Sequence, residues 1–323
     1  MKVAIVGAGM AGLACAGALR VQGYEPVLFD KGRRPGGRLS SLQLEDGMAW
    51  DFGAQFLLAG EGAFAAQVSA WRQAGLIAPW PEGPEGALVG VPAMSTLVAA
   101  QCGGHDVRFG AQVQRIEHGG DGWQVSGPGW REGPFGALIV ATPAEQAAPL
   151  LSLHDLAMAR EAAAARSTPC WTVMAAFDQP LAAVPSVLRD AGPIAWAARN
   201  SSKPGRTGRE CWVIQAGAQW SADNLECDRE AVAERLLALF AAQAGIEPPS
   251  TIFLKAHRWR FALPYGQTAG AQWNPVLRLG ACGDWCLPGA IEGAWRSGTD
   301  LAARIACSLE AAPAESQRLS RTG

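Results

Sequence analysis

Between residues 2 and 30 the chain sets an apolar run, then Gly7-Ala8-Gly9-Met10-Ala11-Gly12, a helical stretch to about residue 22, a second apolar run at 26–29, and Asp30. Strand, glycine turn, helix, strand and acid in that order constrain a fold more tightly than any other feature of the sequence. Gly7 permits a tight turn, Gly9 lets the backbone approach a pyrophosphate, and Gly12 lets the helix pack closely on the strand. Phosphate charge then rests on the unsatisfied amides at the positive end of the helix. Asp30 is placed to accept hydrogen bonds from ribose hydroxyls. The pattern predicts an α/β fold with a parallel central sheet that binds a dinucleotide, and it serves NAD and FAD equally.

The 323 residues suit two domains, and 49% hydrophobic with 17% charged residues is the balance of a globular chain. A formal net charge of -2, with no gathered Lys or Arg, argues against nucleic acid as a partner. The eight cysteines form no Cys-x-x-Cys pair and the four histidines are dispersed, so buried, reduced thiols and no metal site are expected. Lys2 and the apolar stretch to Ala16 have the look of a leader peptide, but fixed glycines and a following strand with a terminal acid belong to a nucleotide fold. No stretch is apolar enough to span a bilayer, and a cytoplasmic protein without membrane attachment is expected.

Three further segments favour FAD. After Asp30 and Lys31, Gly36-Gly37-Arg38 offers amides and a fixed positive charge suited to a diphosphate, whereas Arg33 and Arg34 suit an exposed turn. Asp51-Phe52-Gly53-Ala54-Gln55-Phe56 carries a glycine where a ligand or another backbone comes close. Near the C-terminus, a strand at 276–281 leads into Gly283-Asp284 and then Gly289-Ala290-Ile291-Glu292-Gly293-Ala294, which opens a helix to about residue 305. This second anion-seeking helix start has no use in a nicotinamide dehydrogenase. FAD is long enough to use both, with its ribityl chain on Asp284 and its isoalloxazine against the second helix.

With these residues assembled, the chain resembles the amine-oxidase superfamily of FAD enzymes, and within it the renalase-like proteins. The resemblance rests on Gly7 to Gly12, Asp30-Lys31, Gly36-Gly37-Arg38, Asp51 to Phe56 and Gly283 to Ala294. It implies a Rossmann-type FAD domain built from separated segments plus an α+β substrate domain with an antiparallel sheet, as in p-hydroxybenzoate-hydroxylase-like folds. The expected division is 1–58, 95–148 and 264–310 for the FAD domain, 59–94 and 149–263 for the substrate domain, and a disordered tail at 311–323. A hairpin is expected at 112–117 and 122–126, strands at 138–143, 171–177, 194–198 and 211–216, and a helix at 228–244. The loop 200–209 is expected to be a surface connection. By the same resemblance Val113 contacts the adenine through its backbone, and Thr142 lies in the strand that returns beneath the flavin domain.

The family pattern also breaks. Amine oxidases carry a lysine close to flavin N5, and the matching position is Thr172; they carry an aromatic wall in the second helix opening, and the matching position is Ala290. No counterpart of the covalent-flavin cysteine stands out, so FAD is expected to be non-covalent. Oxidising an amine needs the amine neutral at the flavin, whereas a dihydronicotinamide expels hydride without such help. No catalytic residue is assigned, and the pocket candidates are Trp171, Thr172, Trp259, Ala290 and Ile291. One or two of Trp171, Trp196, Trp212, Trp220, Trp259, Trp285 and Trp295 are expected to line it. Arg258 and Arg260 fit substrate phosphate or the solvent face of a strand equally well. The expected activity is oxidation of 2- or 6-dihydroNAD(P) with O2 as acceptor. The alternatives are an amine oxidase and a flavin-binding protein with a structural or sensing role.

Overall fold

Lys2–Val6 occupies an inner position of a six-stranded sheet in the order Gln272–Asn274, Leu279–Ala281, Ala137–Val140, Lys2–Val6, Glu25–Asp30, Asp106–Phe109. Pairing is parallel from Leu279–Ala281 to Asp106–Phe109, and the edge strand Gln272–Asn274 runs antiparallel. The inner strands are apolar on both faces, as a parallel sheet covered on both sides requires. The computed structural model describes residues 1–206, 208–247, 250–266 and 270–319, and the side chains of all of these except 190, 191 and 310–319. The chain divides into two compact units, one of 1–37, 101–166 and 264–323 and the other of 38–100 and 167–263.

In the first unit, the helices Met10–Val21 and Ile291–Leu319 pack through glycine. A Cβ at Gly298 would lie 2.2 Å from the carbonyl oxygen of Ala11, so any side chain there would part the two helices. A second core joins Val140 and Leu138 to Trp123 and Phe135 of a small antiparallel sheet, Arg115–Gly119, Gly122–Gly127 and Trp130–Phe135. Its first two strands form the expected hairpin, with Gly119 opposite Gly122. Helices Ala144–Leu151 and Leu156–Ala164 bury Leu151, Met158 and Ala162 in this core, so 149–166 belongs here and not with the substrate domain as the sequence suggests.

The second unit is built on a five-stranded antiparallel sheet in the order Val187–Ala191, Ile194–Arg199, Glu210–Ala216, Arg166–Phe177, Thr251–Tyr265. Side chains alternate between its faces. Trp171, Val173, Ala175 and Phe177 pack with Trp212, Ile214 and the helix Arg229–Ala244, which Asp228 caps by accepting from the amides of Glu230 and Ala231. Met174 and Ala176 face the other way, onto Met48, Trp50 and Val213. Trp50 Nε1 donates to the Ala175 carbonyl at 2.9 Å, which ties 38–58 to this unit and moves a boundary that the sequence places at residue 58.

Three other expectations change. The helix Ile291–Leu319 runs through 311–319, where a disordered tail is expected, and 320–323 lie outside the described residues. Val113 is not in a strand but precedes Arg115–Gly119, packed against the core around Trp123. The loop 200–209 is no simple surface connection: Asn200, Lys203 and Arg206 are buried, because their polar groups find partners inside the unit. Thr207 lies outside the described residues.

Candidate cofactor and active site

The first unit contains the glycine turn. Gly7 has φ 108°, and a Cβ there would lie 2.7 Å from the carbonyl oxygen of Ala141. A Cβ on Gly12 would lie 2.0 Å from the oxygen of Gly7, so both glycines are demanded by the protein itself. Gly9 differs, since no protein atom lies within 4 Å of a Cβ built on it. Gly9 is also the N-cap of Met10–Val21 and supplies no side-chain acceptor to the first amides of that helix. Open space above uncapped amides is what an anion needs.

Asp30 ends its strand with both carboxylate oxygens engaged. Oδ2 accepts from the Ala8 amide at 2.8 Å and Oδ1 from the Gly32 amide at 2.7 Å. The acid therefore shapes the turn as well as facing outward, and each oxygen keeps a lone pair for a ribose hydroxyl. Lys31 and Gly37 are exposed, as are Arg33 and Arg34.

The second helix start lies in this unit too. Ser297 is fully buried; its Oγ accepts from the Gly283 amide at 3.0 Å and donates to the Ala294 carbonyl at 3.0 Å, locking the strand end to the helix. A Cβ on Gly293 would lie 2.4 Å from the Leu287 oxygen, so the turn closes only over glycine. Ala290 is exposed at φ 46°, in the left-handed region that alanine disfavours, and Ile291 and Ala294 are buried behind it. Asp284 is half-buried, as is Glu292. Thr142 carries a buried Oγ1 without a partner, an acceptor-donor left over beneath the sheet ends. Uncapped amides, open space at Gly9 and an orphaned hydroxyl together fit a dinucleotide.

In the second unit, Asp51 is the centre of a buried network. Its Oδ2 accepts from Lys203 Nζ at 3.1 Å and from the Arg206 guanidinium, and its Oδ1 from Ser41 Oγ at 2.7 Å and the Met94 amide at 2.9 Å. Burial alone would raise its pKa, but Lys203 and Arg206, together with the hydrogen bonds from Met94 and Ser41, outweigh burial and hold it at about 2. Burial lowers Lys203 to about 8, with Arg206 adding to the effect and Asp51 opposing it. Sequence reasoning missed both cations, since Pro204 and Gly205 beside them signal a turn. The available clue was Asp51 itself, an acid directly after the apolar pair Ala49-Trp50.

The same segment fixes residues 52–55. Gln55 Nε2 donates to the carbonyls of Asp51 and Gly53, the latter at 3.0 Å, while Gln215 Nε2 donates to the Gly53 oxygen at 2.9 Å. A Cβ on Gly53 would lie 2.1 Å from the Arg38 oxygen, which accepts from the Ala54 amide at 2.9 Å. The close approach expected at Gly53 is therefore that of another backbone. Arg38 reaches the Ala262 carbonyl at 3.4 Å.

Of the pocket candidates here, Trp171 is overturned: it is fully buried on the helix-covered face, and its Nε1 donates to the Asn224 carbonyl at 2.9 Å. Trp212 and Trp285 are buried likewise. Thr172 points to the opposite face, in one row with Gln215 and Trp196. Trp196 Nε1 is buried without a partner, and its ring lies 5.6 Å from that of Phe56. Trp259 is half-buried, donates to the Phe52 carbonyl at 2.8 Å and stacks on Phe52 at 5.5 Å beside His257. Burial, then the charges of Arg229 and Lys255, lower His257 to about 4 and keep it neutral. Arg258 and Arg260 pair with Glu226 at 2.9 and 2.6 Å, which favours the solvent-face reading of both.

The chain is similar to known proteins over all of these segments. Residues 5–68 match the model of an NAD(P)-binding Rossmann-like domain, and residues 75–306 match that of the flavin containing amine oxidoreductases. A zeta-carotene-forming phytoene desaturase of Myxococcus xanthus is 44% identical over 57 residues, which are 18% of this chain and only 11% of the desaturase. Solved structures that share the fold include two amine oxidases. Cyclohexylamine oxidase from Brevibacterium oxydans superposes with a TM-score of 0.70 at 16% identity, covering 96% of this chain and 99% of that one. Putrescine oxidase bound to putrescine gives 0.70 at 15% identity, covering 94% and 99%. Among the described residues no helix is long and apolar enough to cross a membrane. With its family model matched over most of its length, the chain belongs to the flavin-containing amine oxidoreductases, FAD-dependent oxidoreductases as a class.

Proposed function

We propose that this protein is a renalase-like oxidase that takes a hydride from 2- or 6-dihydroNAD(P) and passes two electrons to O2. The overall balance is dihydronucleotide, O2 and a proton giving NAD(P)+ and H2O2. The chemistry that bound FAD supplies is hydride acceptance and reoxidation by O2. The residues assigned to it are Gly7 to Gly12, Asp30, Lys31, Gly37, Arg38, Gly53 to Phe56, Val113, Thr142, Gly283, Asp284 and Ile291 to Ala294, without a covalent bond.

One observation carries the reading. The sheet row where an amine oxidase would place its lysine holds Thr172, Gln215 and Trp196, none of which titrates near neutral pH. The buried lysine of this unit, Lys203, is already committed to Asp51 and Gln55. A substrate whose own ring nitrogen drives hydride out needs no base, and flat aromatic faces at Trp196 and Phe56 suit its ring.

A second reading, oxidation of a small amine, is favoured by the Phe56–Trp196 pair, two rings 5.6 Å apart whose π faces attract a cationic amine. Anaerobic addition of each substrate class separates the two readings. Flavin bleached by a dihydronicotinamide isomer supports the first, and flavin bleached only by amines supports the second. Flavin left oxidised by every compound in both classes favours a structural or sensing role.

A further inference from the structure

Two cations share one carboxylate in the core of the second unit, which is one more than charge balance asks. Asp51 already accepts from Arg206, Ser41 and the Met94 amide. Burying a second cation beside it carries a desolvation cost, and the lowered pKa of Lys203 reflects that cost. The remaining polar partner of the ammonium is Gln55 Oε1, at 3.2 Å. Lysine donates only, so it fixes which end of the Gln55 amide faces it. Nε2 is thereby aimed at the carbonyls of Asp51 and Gly53.

We infer that Lys203 and Gln55 act as a pair of positioning residues for FAD, the ammonium orienting the amide that holds the Asp51 and Gly53 carbonyls and with them the entry into 53–56. The inference rests on the assignment of Gly53 to Phe56 to the flavin. The backbone on either side of the clasp is held independently, through Trp259 at the Phe52 carbonyl and Arg38 at the Ala54 amide. Loss of the clasp would therefore loosen the segment without unfolding the unit, and a preorganised segment binds more tightly than one that must be ordered on binding.

The test is titration of FAD into full-length protein stripped of flavin, for Lys203→Met, Gln55→Met, the double variant and Ala54→Leu, with thermal unfolding of each apoprotein. Each single clasp variant is expected to raise the FAD Kd about tenfold, and the double variant no more than about threefold beyond that, because both break one device. Independent structural roles would instead multiply the two losses. Should Lys203→Met fail to fold, Gln55→Met alone must show the loss. A folded clasp variant binding FAD within about twofold of wild type, or losses that multiply, would overturn the inference. If Ala54→Leu weakens FAD while the clasp variants do not, the flavin assignment stands and the clasp falls. If Ala54→Leu is also without effect, both fall together.

Discussion

Lys203 Nζ lies 3.1 Å from Asp51 Oδ2 with both side chains fully buried, so an ion pair spanning 152 residues of sequence organises the core of the second unit. Removing the carboxylate leaves two cations without a counter-charge. Asp51→Asn is expected to destabilise the protein by about 3–5 kcal/mol, measured by urea unfolding at pH 7. A loss of under about 1 kcal/mol would show the pair to be solvated and unimportant.

The glycines of the first turn separate fold from cofactor. Gly12→Ala forces a Cβ to 2.0 Å from the Gly7 oxygen and is expected to cost about 1–3 kcal/mol or more in the apoprotein. Gly9→Ala meets no protein atom, so apoprotein stability should change by less than about 1 kcal/mol while FAD affinity falls sharply. Calorimetry of the apoproteins beside flavin titration distinguishes the two.

Stability should fall on acidification in two stages. His257 has its folded pKa lowered from 6.5 to about 4, so the unfolded chain takes up the proton first, and stability present above pH 6.5 is lost between there and about 4. Asp51, lowered from 3.8 to about 2, adds a further loss below 3.8. Unfolding free energies at pH 7, 5, 4 and 3 check this, and His257→Gln should flatten the first stage while leaving the second.

Much of the first unit was legible in the sequence because its signals are local. Gly7, Gly9, Gly12 and Asp30 lie within one strand–helix–strand unit, and the close contact at Gly12 and the hydrogen bonds of Asp30 are made by residues of that unit. Thr172 was legible as a departure from a family pattern, and strand alternation then sets it on the face opposite Trp171. Lys203 and Arg206 were not legible, since polar residues beside Pro204 and Gly205 signal solvent, and their partner is distant in sequence. Residues 38–58 were misassigned for a related reason: Trp50 and Met48 find their packing on strands more than a hundred residues away.

If no proton moves through position 172, Thr172→Ala should leave the rate of flavin reduction by dihydronicotinamide within about threefold of wild type at every pH from 6 to 9. A loss of a hundredfold, or a new pH dependence, would assign the hydroxyl a chemical role.

The most direct test of the functional account is anaerobic mixing of the flavin-loaded protein with 2-, 6- and 4-dihydroNAD(P) and with a panel of amines, following flavin absorbance. The account predicts fast bleaching by the 2- or 6-isomer alone, with colour and one equivalent of H2O2 returning on admission of air. Bleaching by an amine and by none of the dihydronicotinamides would contradict it.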